Sequence, residues 1–480
     1  MQGKKTYQEK LFTNFQLSDR VPEDNFYRRL KEVLDFSFLY SATAGYYGTE
    51  GQKSIDPVVF FKLLLFGYLE NQPSDRRIVH TASMRMDVLY FIGYDIDEEL
   101  PWHSTLSRTR NLYNEEVFLE LFKKVLKQCI DKGLLNGARQ AVDSFLVKAN
   151  AAMSSLIDKE VMEDAGYYAQ QLKDNEEAVE SEAASPRSKA KSSNKTRIST
   201  TDPDARMAVK PGKVTKLNYL AQVSVDTSSH IIAHIEAFHA DKRDSQCLDT
   251  IVEKVTTTLN ENGLQAREII ADTNYSSTEA LQCLERKGIT GFIPSFGGYK
   301  PDRAGFTYDK EKDVYHCPQG KELSFCRYRE HHGTVKIYLS KRSDCRNCPM
   351  RASCLGKSQF KSITDTLAKP LFDQMHRRVN TPEGKSMLRL RQSTAEPVIG
   401  TLIEYAGLRK VYTKGISLAN KCMLVAGMAY NLKKLIRKIE AGTPSPSLNR
   451  LIDVIYRLEF QANLTQLSNL AYLTKYCLSN

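Results

Sequence analysis

The chain has 480 residues, 41% hydrophobic and 26% charged, with 68 Lys+Arg against 57 Asp+Glu for a formal charge of +11 and a pI near 9.0. This composition excludes a disordered tail, a fibre and an integral membrane protein. The longest apolar stretch, Pro57 to Leu69, is too short for a bilayer and contains Lys62. A charge of this size permits a nucleic-acid partner without demanding one.

The first ten residues are basic with no apolar run behind them, which reads as a cytoplasmic chain without a secretory leader. The length suggests about three structural units. Residues 1–135 have helical spacing, as in Val58-Phe60-Phe61-Leu63-Leu64-Leu65 and Val117-Leu119-Leu121-Phe122-Val125-Leu126. Between those runs, Ser104 or Thr105 is placed to cap a short helix bearing Arg108 and Arg110. A helix-turn-helix there would set both arginines against DNA.

From about residue 136 the character changes. Ala141-Val142 and Phe145-Leu146-Val147 form a strand pattern around Asp143. Residues 166–213 read as a flexible connector, acidic first (Asp174 to Glu182) and then basic and Ser-rich (Arg187 to Arg197). Strand signals return at Asn218–Asp226 and His230–Glu236, joined by Thr227-Ser228-Ser229. A helix over 245–260, the strand Ala266–Asp272 and a helix over 277–287 complete an α/β alternation. Helices resume from about Glu396 and break at Gly442-Thr-Pro-Ser-Pro446.

Five of the ten cysteines fall in one segment. Cys345-Arg-Asn-Cys348 has the spacing that takes two adjacent corners of a tetrahedral zinc site, with Cys317 and Cys354 as the best further ligands. Cys326 is the main rival, and His316, His331 and His332 are weaker ones. Cys129, Cys247, Cys283, Cys422 and Cys477 sit among apolar neighbours and read as buried small hydrophobes. Arg303, Lys341, Arg342, Arg346 and Arg351 surround the cysteine segment, while Lys385, Arg389 and Arg391 precede Glu396. Such clustered cations can position a phosphate backbone. Tyr299 and Tyr308 read as packing residues before they read as base-stacking ones.

Three carboxylates have informative contexts. Asp143 lies inside an apolar strand, where an unpaired carboxylate is costly. Asp272 ends a strand, the edge at which α/β sheets place ligands. Glu396 stands beside Pro397, with Ser393 or Thr394 as a helix cap. Carboxylates converging from two strands and a helix suit hard divalent cations, and two such ions serve phosphodiester chemistry.

Several segments carry a family resemblance: Val142–Ala151, Asp202–Met207, Tyr219–Asp226, His239–Gln246, Ala271–Ser276, Arg391–Gly400 and Ala429–Lys434. Together they resemble bacterial insertion-sequence transposases of the DDE type, in the family numbered 1182. The resemblance implies an α/β fold with an RNase H-like catalytic domain (136–300 and 385–440), an N-terminal helical DNA-binding domain (1–135), a Cys-rich, zinc-binding insertion (301–384) and a helical tail (441–480). It implies Asp143, Asp272 and Glu396 as ligands of Mg²⁺ or Mn²⁺. It also implies cutting and joining of double-stranded DNA at terminal inverted repeats; the cysteine spacing points to structural Zn²⁺ in the insertion, and the joining of two ends to a homodimer on DNA. Arg108, Arg110, Arg303, Lys385, Arg389 and Arg391 are the expected DNA contacts. The chain departs from the pattern at Ser144-Phe145, at Ile399 and at Ile403, where relatives carry a basic residue; the nearest downstream bases are Arg409 and Lys410. Two other classes fit the same residues: a transposase-derived DNA-binding regulator without catalysis, and an RNase H-like nuclease without strand joining.

Overall fold

The computed structural model describes residues 16–48, 54–72, 74–162, 193–209, 214–296, 305–330 and 334–442, with the isolated positions 5, 50, 299, 301 and 303. The acidic half of the expected connector, the C-terminal tail, Cys477, His331 and His332 lie outside the described residues.

The N-terminal part is helical. Helix α1 (Pro57–Leu69) begins with Asp56 accepting from the Val58 and Val59 amides, and Pro57 occupies its first turn. All of its residues but Val58 and Lys62 are buried, so it is apolar nearly all round as a core helix is, the alternative to a membrane span. Among the described residues no helix is long and apolar enough to cross a membrane. Helix α2 (His103–Leu112) and helix α3 (Glu115–Asp131) follow. Ser104 and Thr105 lie within α2 and are not its cap, since the chain turns helical at His103.

The central sheet has five principal strands: β1 (Arg139–Lys148), β2 (Lys216–Asp226), β3 (Ile232–His239), β4 (Glu268–Ile270) and β5 (Thr290–Phe292). Their order is β3-β2-β1-β4-β5. The β1–β2 and β2–β3 pairs are antiparallel, whereas β1–β4 and β4–β5 are parallel. Helix α4 (Asp244–Glu261) connects β3 to β4, and helix α5 (Thr278–Arg286), capped by Ser277, connects β4 to β5.

Two long-range features bind the halves together. Helix α6 (Lys369–Asn380) packs on β5, where Arg378 donates to the Gly291 carbonyl at 2.9 Å, so it belongs to the central layer and not to the Cys-rich insertion. Helix α7 (Pro382–Tyr405) crosses β1 and β2, and helix α8 (Ile416–Gly442) lies between β3, α1 and α3. The Asn431 carboxamide pairs with both the amide and the carbonyl of Ile232 at 2.9 Å, and Asn420 accepts from the Ala237 amide. The outer edge of β3 is thereby covered, which blocks pairing with another chain. One continuous apolar core runs from the N-terminal helices through the sheet into α8, so the N-terminal helices are not a separately cored domain.

Residues 193–209 are structured, contrary to the connector expected over 166–213. The strand Arg197–Ser199 pairs with Leu156–Asp158, and Arg206–Ala208 extends the sheet beside β2. The buried Asp202 accepts from the Tyr219 hydroxyl at 2.7 Å through both oxygens, so polar bonds order a segment with few apolar residues. Between β5 and α6 a second, five-stranded antiparallel sheet runs from Thr307–Asp309 to Ser362–Thr366 with its own small core.

Candidate active site

Parallel register brings the first two carboxylates together. Ala141 of β1 pairs with Ile270 of β4, so the positions two residues further on, Asp143 and Asp272, stand level where β4 has ended. Asp272 caps a short turn over Thr273–Tyr275, accepting from the Asn274 amide at 2.9 Å. Asp143, Asp272 and Glu396 all line one open cavity of about 600 Å³.

Glu396 reaches that cavity from the middle of α7, not from a helix start. Thr381 is the true cap, accepting from the Gly384 amide at 2.9 Å, with Pro382 in the first turn; Pro397 is inside the helix. A proline there forfeits one backbone hydrogen bond. Burial of Met387, Thr394, Ala395, Val398 and Leu402 on the sheet side offsets that loss. The opposite stripe, Glu396, Ile399, Gly400 and Ile403, faces the cavity.

Two further residues complete the site. Arg391 donates to Asp143 at 2.5 Å and approaches Glu396 at 3.8 Å. Its cation therefore neutralises carboxylates inside the cavity and is not displayed on an outer surface. Asp244, the first residue of α4, lines the same cavity and accepts from Gln222 at 2.8 Å. The buried Gln222 in turn accepts from the Tyr275 hydroxyl, which links Asp244 to the turn after Asp272. Asp244 was not singled out from sequence. An acid in a helix's first turn is ordinary dipole complementation, and only its place in the segment His239–Gln246 pointed to it.

The electrostatics follow from this crowding. Burial pushes the Asp143 carboxyl up to about 6, with Arg391 opposing and Asp272 and Asp244 adding to the rise. Burial also raises Asp272, and Asp244 contributes. Like charges collected in a half-buried cavity hold protons more tightly and favour any cation that replaces them. Among the described residues no group of three or more His, Cys, Asp or Glu is arranged to hold a metal ion as it stands. Arg391 occupies the space between Asp143 and Glu396.

The other expected DNA contacts divide. Arg108, Lys385 and Arg389 are exposed. Arg110 is buried and paired with Asp75 at 2.5 and 2.9 Å, so it holds α2 in the core and is not offered to phosphate. Arg303 donates to the Thr364 carbonyl at 3.0 Å and sits 3.7 Å from Asp365, serving the second sheet. Tyr299 bonds Asp373 and packs on Phe372, and Tyr308 bonds Asp313 and packs on Tyr315, so both are packing residues.

In the second sheet, Cys317, Cys345, Cys348 and Cys354 line one cavity of about 270 Å³. The Lys321 amide donates to the Cys317 sulfur at 3.3 Å. Cys326 is exposed on the strand Glu322–Glu330 and does not line that cavity, and His316 faces Asp309 at 3.7 Å. Cys129, Cys247, Cys283 and Cys422 are buried and free, as expected.

Two family models match this chain. Residues 15–112 match a transposase domain (DUF772), and residues 316–436 match a transposase DDE domain. Both matches are to transposase domains. The DDE match contains all five clustered cysteines and Glu396, while Asp143 and Asp272 precede it. No curated protein matches the sequence. Among solved structures, the chain is similar to a piggyBac transposase synaptic complex with hairpin DNA, at 10% identity and a TM-score of 0.27, over 90% of this chain and 85% of that one. It is also similar to a Mos1 transposase paired-end complex with the left transposon end, at 10% identity and a TM-score of 0.16, over 53% of this chain and 63% of that one.

Proposed function

We propose that this chain is a DNA transposase of the insertion-sequence DDE type that cuts and joins strands at the ends of its own element. The observation that carries the proposal is the convergence of Asp143, Asp272 and Glu396 on one cavity at the end of β4. The strand order β3-β2-β1-β4-β5, with only β2 antiparallel to its neighbours, supports an RNase H-like reading of the sheet. The two transposase matches support the function, and the motif-bearing segments support the finer placing in the family numbered 1182.

The donor set suits Mg²⁺ or Mn²⁺, because Asp143, Asp244, Asp272 and Glu396 offer only carboxylate oxygens. When bound, the ions would supply a strong oxygen nucleophile and stabilise the leaving oxygen. Asp143 and Asp272 would hold them from the sheet and Glu396 from α7. Arg391 would leave Asp143 for a non-bridging phosphate oxygen of the cleaved strand. Arg108, Lys385 and Arg389 would contact the flanking duplex, and two ends would be joined by a homodimer. In the second sheet, four cysteines around one cavity suit a structural Zn²⁺, which would fold the module without entering the reaction.

Asp272→Asn should abolish Mg²⁺-dependent nicking of a duplex carrying the terminal repeats while leaving its binding intact. Undiminished cleavage by that variant would refute the assignment. Cleavage without a joined product would favour a nuclease, and binding without cleavage by the unaltered chain would favour a regulator.

A further inference from the structure

A second groove of about 830 Å³ adjoins the acidic cavity and shares Leu146, Val209 and Ile403 with it. Its far part carries Lys148, Lys216 and Lys410 together with Tyr412. None of these lysines is in an ion pair among the described residues, whereas the neighbouring Arg409 is bound to Glu404. Tyr412 is exposed, at 51% of its full surface, and the Lys410 ammonium stands 5.1 Å from its ring centre.

The frame behind these side chains is fixed. The Lys148 carbonyl accepts from the Val411 amide at 3.0 Å, and Asn150 donates to the Tyr412 carbonyl at 2.9 Å. The segment carrying Lys410 and Tyr412 is thus stapled to the end of the strand that carries Asp143. Asn218 of β2 lies opposite Lys148, which places Lys216 just beyond it. Lys148 lies five steps along β1 from Asp143, about 17 Å at ~3.3 Å each. That length takes about five phosphates at the ~3.4 Å duplex spacing and fewer in an extended strand.

We infer that this groove holds an unpaired stretch of the DNA strand that enters the carboxylate cavity, with Lys148, Lys216 and Lys410 on its phosphates and Tyr412 stacked on one base. The inference rests on the transposase reading of the cavity and adds where the strand runs and in what state. Three cations along a groove follow a backbone of any sequence. An exposed aromatic ring among them can stack on a base face, which a paired and stacked duplex does not offer.

The test uses the full chain in Ca²⁺ with two probes: a blunt terminal-repeat duplex, and the same duplex ending in three unpaired nucleotides that include 2-aminopurine. The unaltered protein should prefer the forked probe and quench its fluorescence. Tyr412→Leu should lose the quench and about tenfold of the forked-probe affinity, with blunt-duplex binding unchanged, and Tyr412→Phe should restore both. Lys148→Gln with Lys410→Gln should lower the salt dependence of forked-probe binding by about 1.4 in log–log slope. If the variants bind and quench as the unaltered protein does, the groove assignment is wrong while the transposase reading stands. If the unaltered protein binds neither probe, both fall.

Discussion

The two sheets solve the problem of holding together in different ways. The central sheet is sandwiched by helices, and its apolar side chains merge with those of α1, α3 and α8 into one continuous core. The second sheet has a small core cluster of Phe306, Tyr315, Leu323, Tyr338 and Ile363, with Val314 and Ile337 also buried. It makes up the shortfall with polar bonds among its tyrosines. Tyr308 and Tyr338 both donate to Asp313, at 2.7 and 2.6 Å, and Tyr315 donates to the buried Asp365, which Arg303 and Lys369 each approach at 3.7 Å. Small apolar cores of this kind rarely offset the entropy of ordering the chain, and they recruit cross-links or metals. Asp143, Asp272 and Glu396 of the central layer face an open cavity, while the carboxylates of the second sheet are engaged by its own tyrosines and cations.

The sharpest way to break that contrast is to remove the proposed zinc. Cys348→Ser should release one equivalent of zinc per chain, read by metal analysis. It should destabilise the second sheet by several kcal/mol, seen as rapid tryptic cutting between residues 303 and 366. The central sheet should keep its protection, because none of its core residues touches that cavity. Purified protein devoid of zinc, with cutting unchanged by the substitution, would show that the tyrosine–carboxylate network suffices alone.

How much of this was legible in the sequence follows the range of the interactions. The strands around Asp143 and before Asp272 announce themselves through local apolar runs, and the helices between them through their period. The meeting of Asp143 with Asp272 depends on the register Ala141 to Ile270, which no local pattern encodes. Arg110 looked like a surface cation because its partner, Asp75, lies 35 residues earlier. The expected insertion of 301–384 includes the residues of helix α6 because the contacts that tie them to β5 are long-range. The groove residues were equally hidden, since Lys148 and Lys410 meet across 262 positions.

A middle-sized effect tests whether the central acids are held at a cost. Burial lifts Asp143 from an ordinary 3.8 to about 6. Across that window the folded protein keeps a proton that the unfolded chain has released. The contribution of this carboxyl to stability is therefore full below about pH 4 and is lost as pH rises through 6. Asp143→Asn cannot suffer this loss. Urea unfolding should show the variant gaining on the unaltered protein between pH 4 and pH 7, by up to about 3 kcal/mol for a shift of about two units. Parallel pH profiles for the two proteins would mean that Arg391 fully compensates the buried carboxylate.

The smallest effect concerns α7, which follows α6 directly and delivers Glu396 to the central site. The sequence points to a helix start at Ser393 or Thr394 before Pro397, whereas the structure starts the helix at Thr381-Pro382. In the structure the Thr381 hydroxyl accepts from the Gly384 amide, while the Ser393 hydroxyl bonds back to the Leu390 carbonyl at 3.1 Å within the helix. Thr381→Ala should therefore cost about 1 kcal/mol, and Ser393→Ala, which removes no cap, should stay within about 0.5 kcal/mol. Thermal unfolding of the two variants separates the alternatives. If Ser393→Ala proves the costlier, Glu396 stands at a helix start after all, held by one capping turn instead of by a long helix anchored across the sheet.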